Sequence, residues 1–229
     1  TLYSEIVVPL GQMTQINLSD GSKIWLNSGS VFKYPTEFGQ SAREVYLDGE
    51  AFMEVARDER SPFVTYAKNF SVEVLGTSFN VSAYSADARA SLTLVEGSVL
   101  LRSGDKRWDK ILAPGQIAEM TNGGIPVVSS LNTTFYTSWK DGKIVFRNET
   151  MEEIARKLER WYNVEIRFED EQLKNMVFSG TFLKNKPVEQ VFRSLSIMNE
   201  SIDFVYETRS EQKNIINIIK KRKYGINKN

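Results

Sequence analysis

The 229-residue chain contains no cysteine and no histidine. That excludes disulfides, thiolate nucleophiles, a Ser-His-Asp triad and every His/Cys zinc site. There is no charge imbalance either: Lys+Arg and Asp+Glu both number 29. A nucleic-acid-binding surface normally carries an excess of cations to neutralise phosphates. No run approaches the ~18 apolar residues that span a bilayer. The chain opens at Thr1 without the basic-then-apolar order of a signal peptide, so a targeting or membrane segment is expected upstream. We expect no catalytic, cofactor-binding or metal-binding residues, and no nucleic-acid partner. Missing cysteine suits an exported bacterial protein and is also common in the cytosol, so it leaves the compartment open.

What is present divides into two textures. From Ile6 to about Met120 the pattern has period two. Ile16/Leu18, Ile24/Leu26, Val45/Leu47, Val72/Val74, Phe79/Val81 and Leu92/Leu94 each place alternate side chains on one face. Turn pairs such as Asp20-Gly21, Asp48-Gly49, Glu96-Gly97 and Pro114-Gly115 separate the runs. Residues 1–128 are therefore expected to form an all-β domain, an antiparallel sandwich or jelly-roll-like arrangement.

The polar stretch 129–138 is expected as a linker, with a second domain over 139–219. Thr150-x-x-Glu153 has capping-box spacing, and Met151, Ile154, Ala155, Leu158 and Tyr162 follow at helical spacing. The strand Val164–Phe168 comes next. The order then recurs from Phe182 through Pro187, suited to a first helical position, to Val188, Val191, Leu195 and Met198, and then the strand Ile202–Tyr206. Phe146 and Phe182 lie 36 residues apart, Ile154 and Val191 37. This is a duplicated strand-helix-strand unit, predicting a small α+β domain. Lys220-Lys221-Arg222-Lys223 opens a tail over 220–229, expected to be solvated and disordered.

Six segments in order resemble the signature of the FecR domain: Leu18–Asn27 with Asp20 and Gly21, Leu47–Ala51 with Gly49 and Glu50, Ser61–Val64, Val74–Val81 with Gly76 and Thr77, Val95–Val99 with Gly97, and Leu112–Gln116 with Pro114 and Gly115. Met53 stands where the family more often has an aromatic. The second half resembles the small domain that follows FecR domains in regulators of TonB-dependent transport, similar to the short N-terminal domains of secretins and TonB-dependent receptors. The resemblance implies the periplasmic part of an anti-sigma regulator, anchored to the inner membrane through an upstream helix absent from this chain. Its sigma factor would be held by a cytoplasmic segment that is also absent. It further implies contact with the periplasmic signalling domain of a TonB-dependent transporter. That contact is expected in residues 139–219, near Val177, Phe178, Ser179, Gly180 and Thr181, a β-forming apolar stretch that offers a paired strand or an exposed edge. The plainer expectation is that Phe178 and Phe182 fill the core beneath the helices.

Other readings are weighed against plain structure. Asp48, Glu50 and Glu54 are acids of the kind glycoside hydrolysis pairs across a sugar bond, but acids at turns and edge strands are the ordinary case. The resemblance gives Glu50 a structural role, accepting backbone N–H bonds at the corner. Gly76-Thr77-Ser78 matches no phosphate-loop pattern and expects no following helix; a tight strand bend fits it better. Trp25, Trp108, Trp139 and Trp161 are the aromatics a carbohydrate-binding or adhesin module would use, and Trp25 is the one placed off the core pattern; core bulk is their common use.

Overall fold

A computed structural model describes residues 2–39, 41–121, 124–209 and 212–221, and the chain divides into two compact units, 1–141 and 142–229. The first unit holds β1 (Tyr3–Val7), β2 (Thr14–Asn17), β3 (Lys23–Leu26), β4 (Val31–Pro35), β5 (Arg43–Glu54), β6 (Phe63–Ala67), β7 (Phe70–Val74), β8 (Ser78–Ala83), β9 (Arg89–Glu96), β10 (Val99–Ser103), β11 (Asp109–Leu112), β12 (Gln116–Thr121) and β13 (Val127–Ser130). A short helix α1 (Thr134–Thr137) and a 3-10 turn (Ser138–Asp141) close it.

These strands form two layers that share β5. Its first half pairs with β4 and β6, and its second half with β3 and β8. One layer continues from β6 through β7 and β10 to β11, the other from β8 through β9 and β12 to β13. The changeover falls at Asp48/Gly49. Ile24, Leu26, Phe32, Val45, Met53, Phe63, Phe79, Leu92, Leu94 and Leu101 belong to one core cluster drawn from both layers, all fully buried. The period-two pattern arises because one face of each layer points into that core.

Among the described residues the layers are antiparallel except at one pair. β5 and β6 run parallel, with Arg43 opposite Phe63 and Leu47 opposite Ala67. The bend of β5 between layers explains this. It carries the end of the strand back until the Ala56 carbonyl accepts a 2.9 Å bond from the Arg43 side chain. A short return then suffices where parallel strands usually need a long crossover.

The second unit holds β14 (Lys143–Thr150), α2 (Met151–Tyr162), β15 (Glu165–Phe168), a 3-10 turn (Glu171–Asn175), β16 (Val177–Leu183), α3 (Val188–Met198), β17 (Ile202–Glu207) and β18 (Ile215–Lys220). The order β14-α2-β15 repeats as β16-α3-β17. β14 and β16 form an antiparallel pair, and β15, β18 and β17 a three-stranded sheet. α2 starts at a complete capping box between Thr150 and Glu153 and ends at Asn163 in the left-handed region (φ 52°). Its buried face is Met151, Ile154, Ala155, Leu158 and Trp161, so Trp161 replaces the expected Tyr162. α3 buries Val188, Val191, Phe192 and Leu195, but Met198 is exposed and Pro187 is the N-cap. Leu195 is the last buried residue of the helix.

The boundaries differ from those expected. Ser129 and Ser130 belong to β13, paired with Ile117 and Gln116, and Trp139 is buried in the first unit. The stretch 129–138 is thus folded chain with its own backbone bonds, and not a linker. At the other end, Lys220 closes β18 and its ammonium pairs with Asp170. The remainder of the basic tail, from Arg222, lies outside the described residues, as does Asn122-Gly123.

Candidate functional site

Of the expected motif residues, Gly49 and Glu50 lie on β5, Asp20 and Thr77 bond residues at its two ends, and Pro114 and Gly115 lie apart from it. Asp20 and Gly21 form the turn between β2 and β3, where the Asp20 carboxylate accepts from the Ser22 N–H (3.0 Å) and hydroxyl (2.7 Å). It also receives the Arg43 guanidinium at 2.7 Å. Arg43 is 3% exposed, donates to the Ser61 carbonyl (2.8 Å) and lies over the Phe63 ring. A buried cation needs such partners. The Asp-Gly-Ser turn is therefore the seat of a buried arginine, a link that spacing alone did not reveal.

Glu50 follows the changeover glycine. Its two carboxylate oxygens accept from side-chain amides, Asn27 Nδ2 at 2.8 Å and Asn80 Nδ2 at 3.1 Å. The Glu50 N–H itself donates to the Ser30 hydroxyl at 2.9 Å. Asn80 Oδ1 in turn accepts 2.8 Å from the buried Trp139 Nε1.

Gly49 (φ +139°) leaves no room for a side chain, since a Cβ would sit 2.4–2.6 Å from Ser30 atoms. At Gly76 a Cβ would meet the Arg57 backbone at 2.7 Å, and at Gly97 the Thr77 hydroxyl at 2.7 Å. Thr77 itself donates to the Ser98 carbonyl at 3.0 Å, and its own carbonyl accepts from Val55 N–H at 3.0 Å. Gly76 and Thr77 bend β7 into β8, and Gly97 lies in the turn from β9 to β10. Pro114 and Gly115 make the turn into β12, where Gly115 N–H reaches the Leu94 carbonyl at 2.9 Å.

Of the three acids considered for catalysis, Glu50 is held as above, Asp48 accepts from the Ser85 N–H at 2.7 Å, and Glu54 is exposed at the end of β5. Among the described residues no group of three or more acids is placed to hold a metal ion. Trp25 is half-buried against Phe52 (5.7 Å between ring centroids), Trp108 packs on the core, and Trp161 is buried beneath Lys184.

In the second unit the segment expected to meet a partner is β16. Phe178 is buried and Phe182 half-buried on its inner face, with Phe146 5.5 Å from Phe182. Val177, Ser179, Thr181 and Leu183 are exposed on the other. Lys184 N–H bonds the Gly142 carbonyl at 2.8 Å, and the register pairs Ile144 with Phe182 and Phe146 with Gly180. Antiparallel alternation then turns the backbone groups of Thr181 and Leu183 away from β14. Among the described residues no strand takes that edge. A groove of about 490 Å³ beside α2 and β15 is lined by charges already paired, Arg156 with Glu152 (3.2 Å) and Lys174 with Glu171 (2.7 Å).

The model of the FecR protein family matches residues 4–100, and that of the FecR C-terminal region residues 143–218. Two crystal structures, each of a candidate anti-sigma factor from Parabacteroides distasonis, are similar along nearly the whole chain. One has a TM-score of 0.86 at 30% identity, covering 96% of this chain and 100% of the other. The second has a TM-score of 0.84 at 30% identity, covering 94% and 99%. No curated protein matches the chain.

Proposed function

The chain belongs to the FecR family, and from that premise we propose that it is the periplasmic signal-relay portion of a membrane-anchored anti-sigma regulator. It receives its signal by contact with the periplasmic signalling domain of an outer-membrane TonB-dependent transporter, and the second unit makes that contact. The regulator's sigma factor is held elsewhere in the protein, beyond the membrane helix.

The observation that carries this reading is the character of the β16 edge. Natural edges are guarded by charge, proline or bulges. In the second unit β14 carries Lys143, Arg147 and Glu149 and a bulge after Phe146, β15 carries Glu165 and Arg167, and β17 carries Asp203 and Glu207. β16, Val-Phe-Ser-Gly-Thr-Phe-Leu, has no charge and no proline. Such an edge suits addition of a partner strand, in which main-chain bonds supply affinity and alternate side chains supply selectivity.

The test is a titration of the full chain against the periplasmic signalling domains of the TonB-dependent transporters of one genome. One domain is expected to bind. Thr181→Pro removes an outward N–H while leaving the β14 ladder intact, and it should weaken that binding about tenfold, the scale of one or two lost hydrogen bonds. Failure of every signalling domain to bind overturns the reading. Binding untouched by Thr181→Pro moves the contact away from this edge.

A further inference from the structure

Asn80 stands between Glu50 and Trp139, and the hydrogen-bond polarity through it runs in one direction only. A carboxylate is acceptor-only, so both of its amide partners must present NH2 groups to it. For Asn80 this fixes the side chain: Nδ2 toward Glu50 at 3.1 Å, and therefore Oδ1 toward the indole at 2.8 Å. An indole N–H is donor-only. The two ends thus demand the same orientation of Asn80.

Trp139 is 6% exposed and Asn80 1%, so neither can turn to water if that orientation is lost. Trp139 lies in the 3-10 turn that ends the first unit, and Lys140 beside it lies over the Phe52 ring at 5.4 Å. Asp141 and Gly142 mark the boundary.

We propose that Glu50 is a positioning residue whose carboxylate, acting through the orientation of Asn80, latches Trp139 and so fastens the segment by which the chain leaves the first unit. An amide at position 50 would offer one acceptor and one donor group. One of its asparagine neighbours would then have to flip, and a flipped Asn80 opposes N–H to N–H at Trp139.

The experiment measures hydrogen exchange of the Trp139 indole proton in the full chain, its resonance assigned with Trp139→Phe. Glu50→Gln is expected to speed that exchange about tenfold, the equivalent of one buried hydrogen bond, and to expose amides of 134–141 while those of β9 and β12 keep their protection. The double variant Glu50→Gln/Asn80→Asp restores matched polarity: the introduced amide donates to the introduced carboxylate, and that carboxylate accepts from the indole. Protection of the indole is expected to return. An indole still protected in Glu50→Gln overturns the proposal. So does a double variant no better protected than the single one. If Glu50→Gln alone unfolds the unit, recovery of the fold and of the protected indole in the double variant decides in favour, and its failure decides against.

Discussion

Gly49 and Gly115 both sit at positive φ, +139° and +84°, but only Gly49 is hemmed in: a methyl group there would lie within 2.6 Å of Ser30, whereas around Gly115 it would meet nothing within 4 Å. Alanine at Gly49 or Gly76 is therefore expected to cost about 1–3 kcal/mol, and at Gly115 visibly less, because strain there is conformational alone. Urea unfolding of the three variants checks the order, and equal losses would contradict it. Asp20 allows a sharper comparison. Asp20→Ala strands a guanidinium that is 3% exposed and should cost about 3 kcal/mol, whereas pairing it with Arg43→Met should recover much of that loss. The glycine corners were legible in the sequence because each interrupts an alternating run. Arg43, Asn80 and Trp139 were not. Their partners lie 23 residues away for Arg43 and 59 for the Asn80–Trp139 pair, beyond any local pattern.

At the scale of elements, the helices of the second unit announce themselves through spacing and caps. Thr150→Ala should lower stability by about 1 kcal/mol, the usual worth of an N-cap, read from the midpoint of thermal unfolding; an unchanged midpoint would mean that β14 holds the helix start alone. What spacing did not settle was where each face ends. Periodicity carries on through Met198, but burial stops at Leu195, since spacing sets a side chain's direction and not what lies opposite it. Strand positions were legible from alternation, while the parallel β5–β6 pairing was hidden. Period two marks which face is buried and says nothing of a neighbour's direction.

For the whole molecule, the change from alternating to helical texture located two units but put the junction too early. The polar composition of 129–138 reads as linker, yet its backbone is engaged in β13 and α1, and the buried side chain that ends the unit is Trp139. A fragment of residues 1–141 is therefore expected to unfold cooperatively, and one of residues 1–135 to melt at a lower temperature, by the several kcal/mol that a buried tryptophan contributes. Calorimetry of the two fragments checks this; identical melting would return the boundary to the polar stretch.

The strand shared by both layers bears on the rate of folding. β5 has four neighbours, β3, β4, β6 and β8, and neither layer can close its ladder before β5 has chosen its bend. The first unit therefore has no smaller part able to gain its core alone. Its search is dominated by distant pairings, which places refolding toward the millisecond-to-second end of the range for single domains. Conservative truncations in β5, such as Val45→Ala and Met53→Ala, should slow refolding more than they speed unfolding. Truncations in the terminal strands β11 and β13 should act chiefly on the unfolding rate.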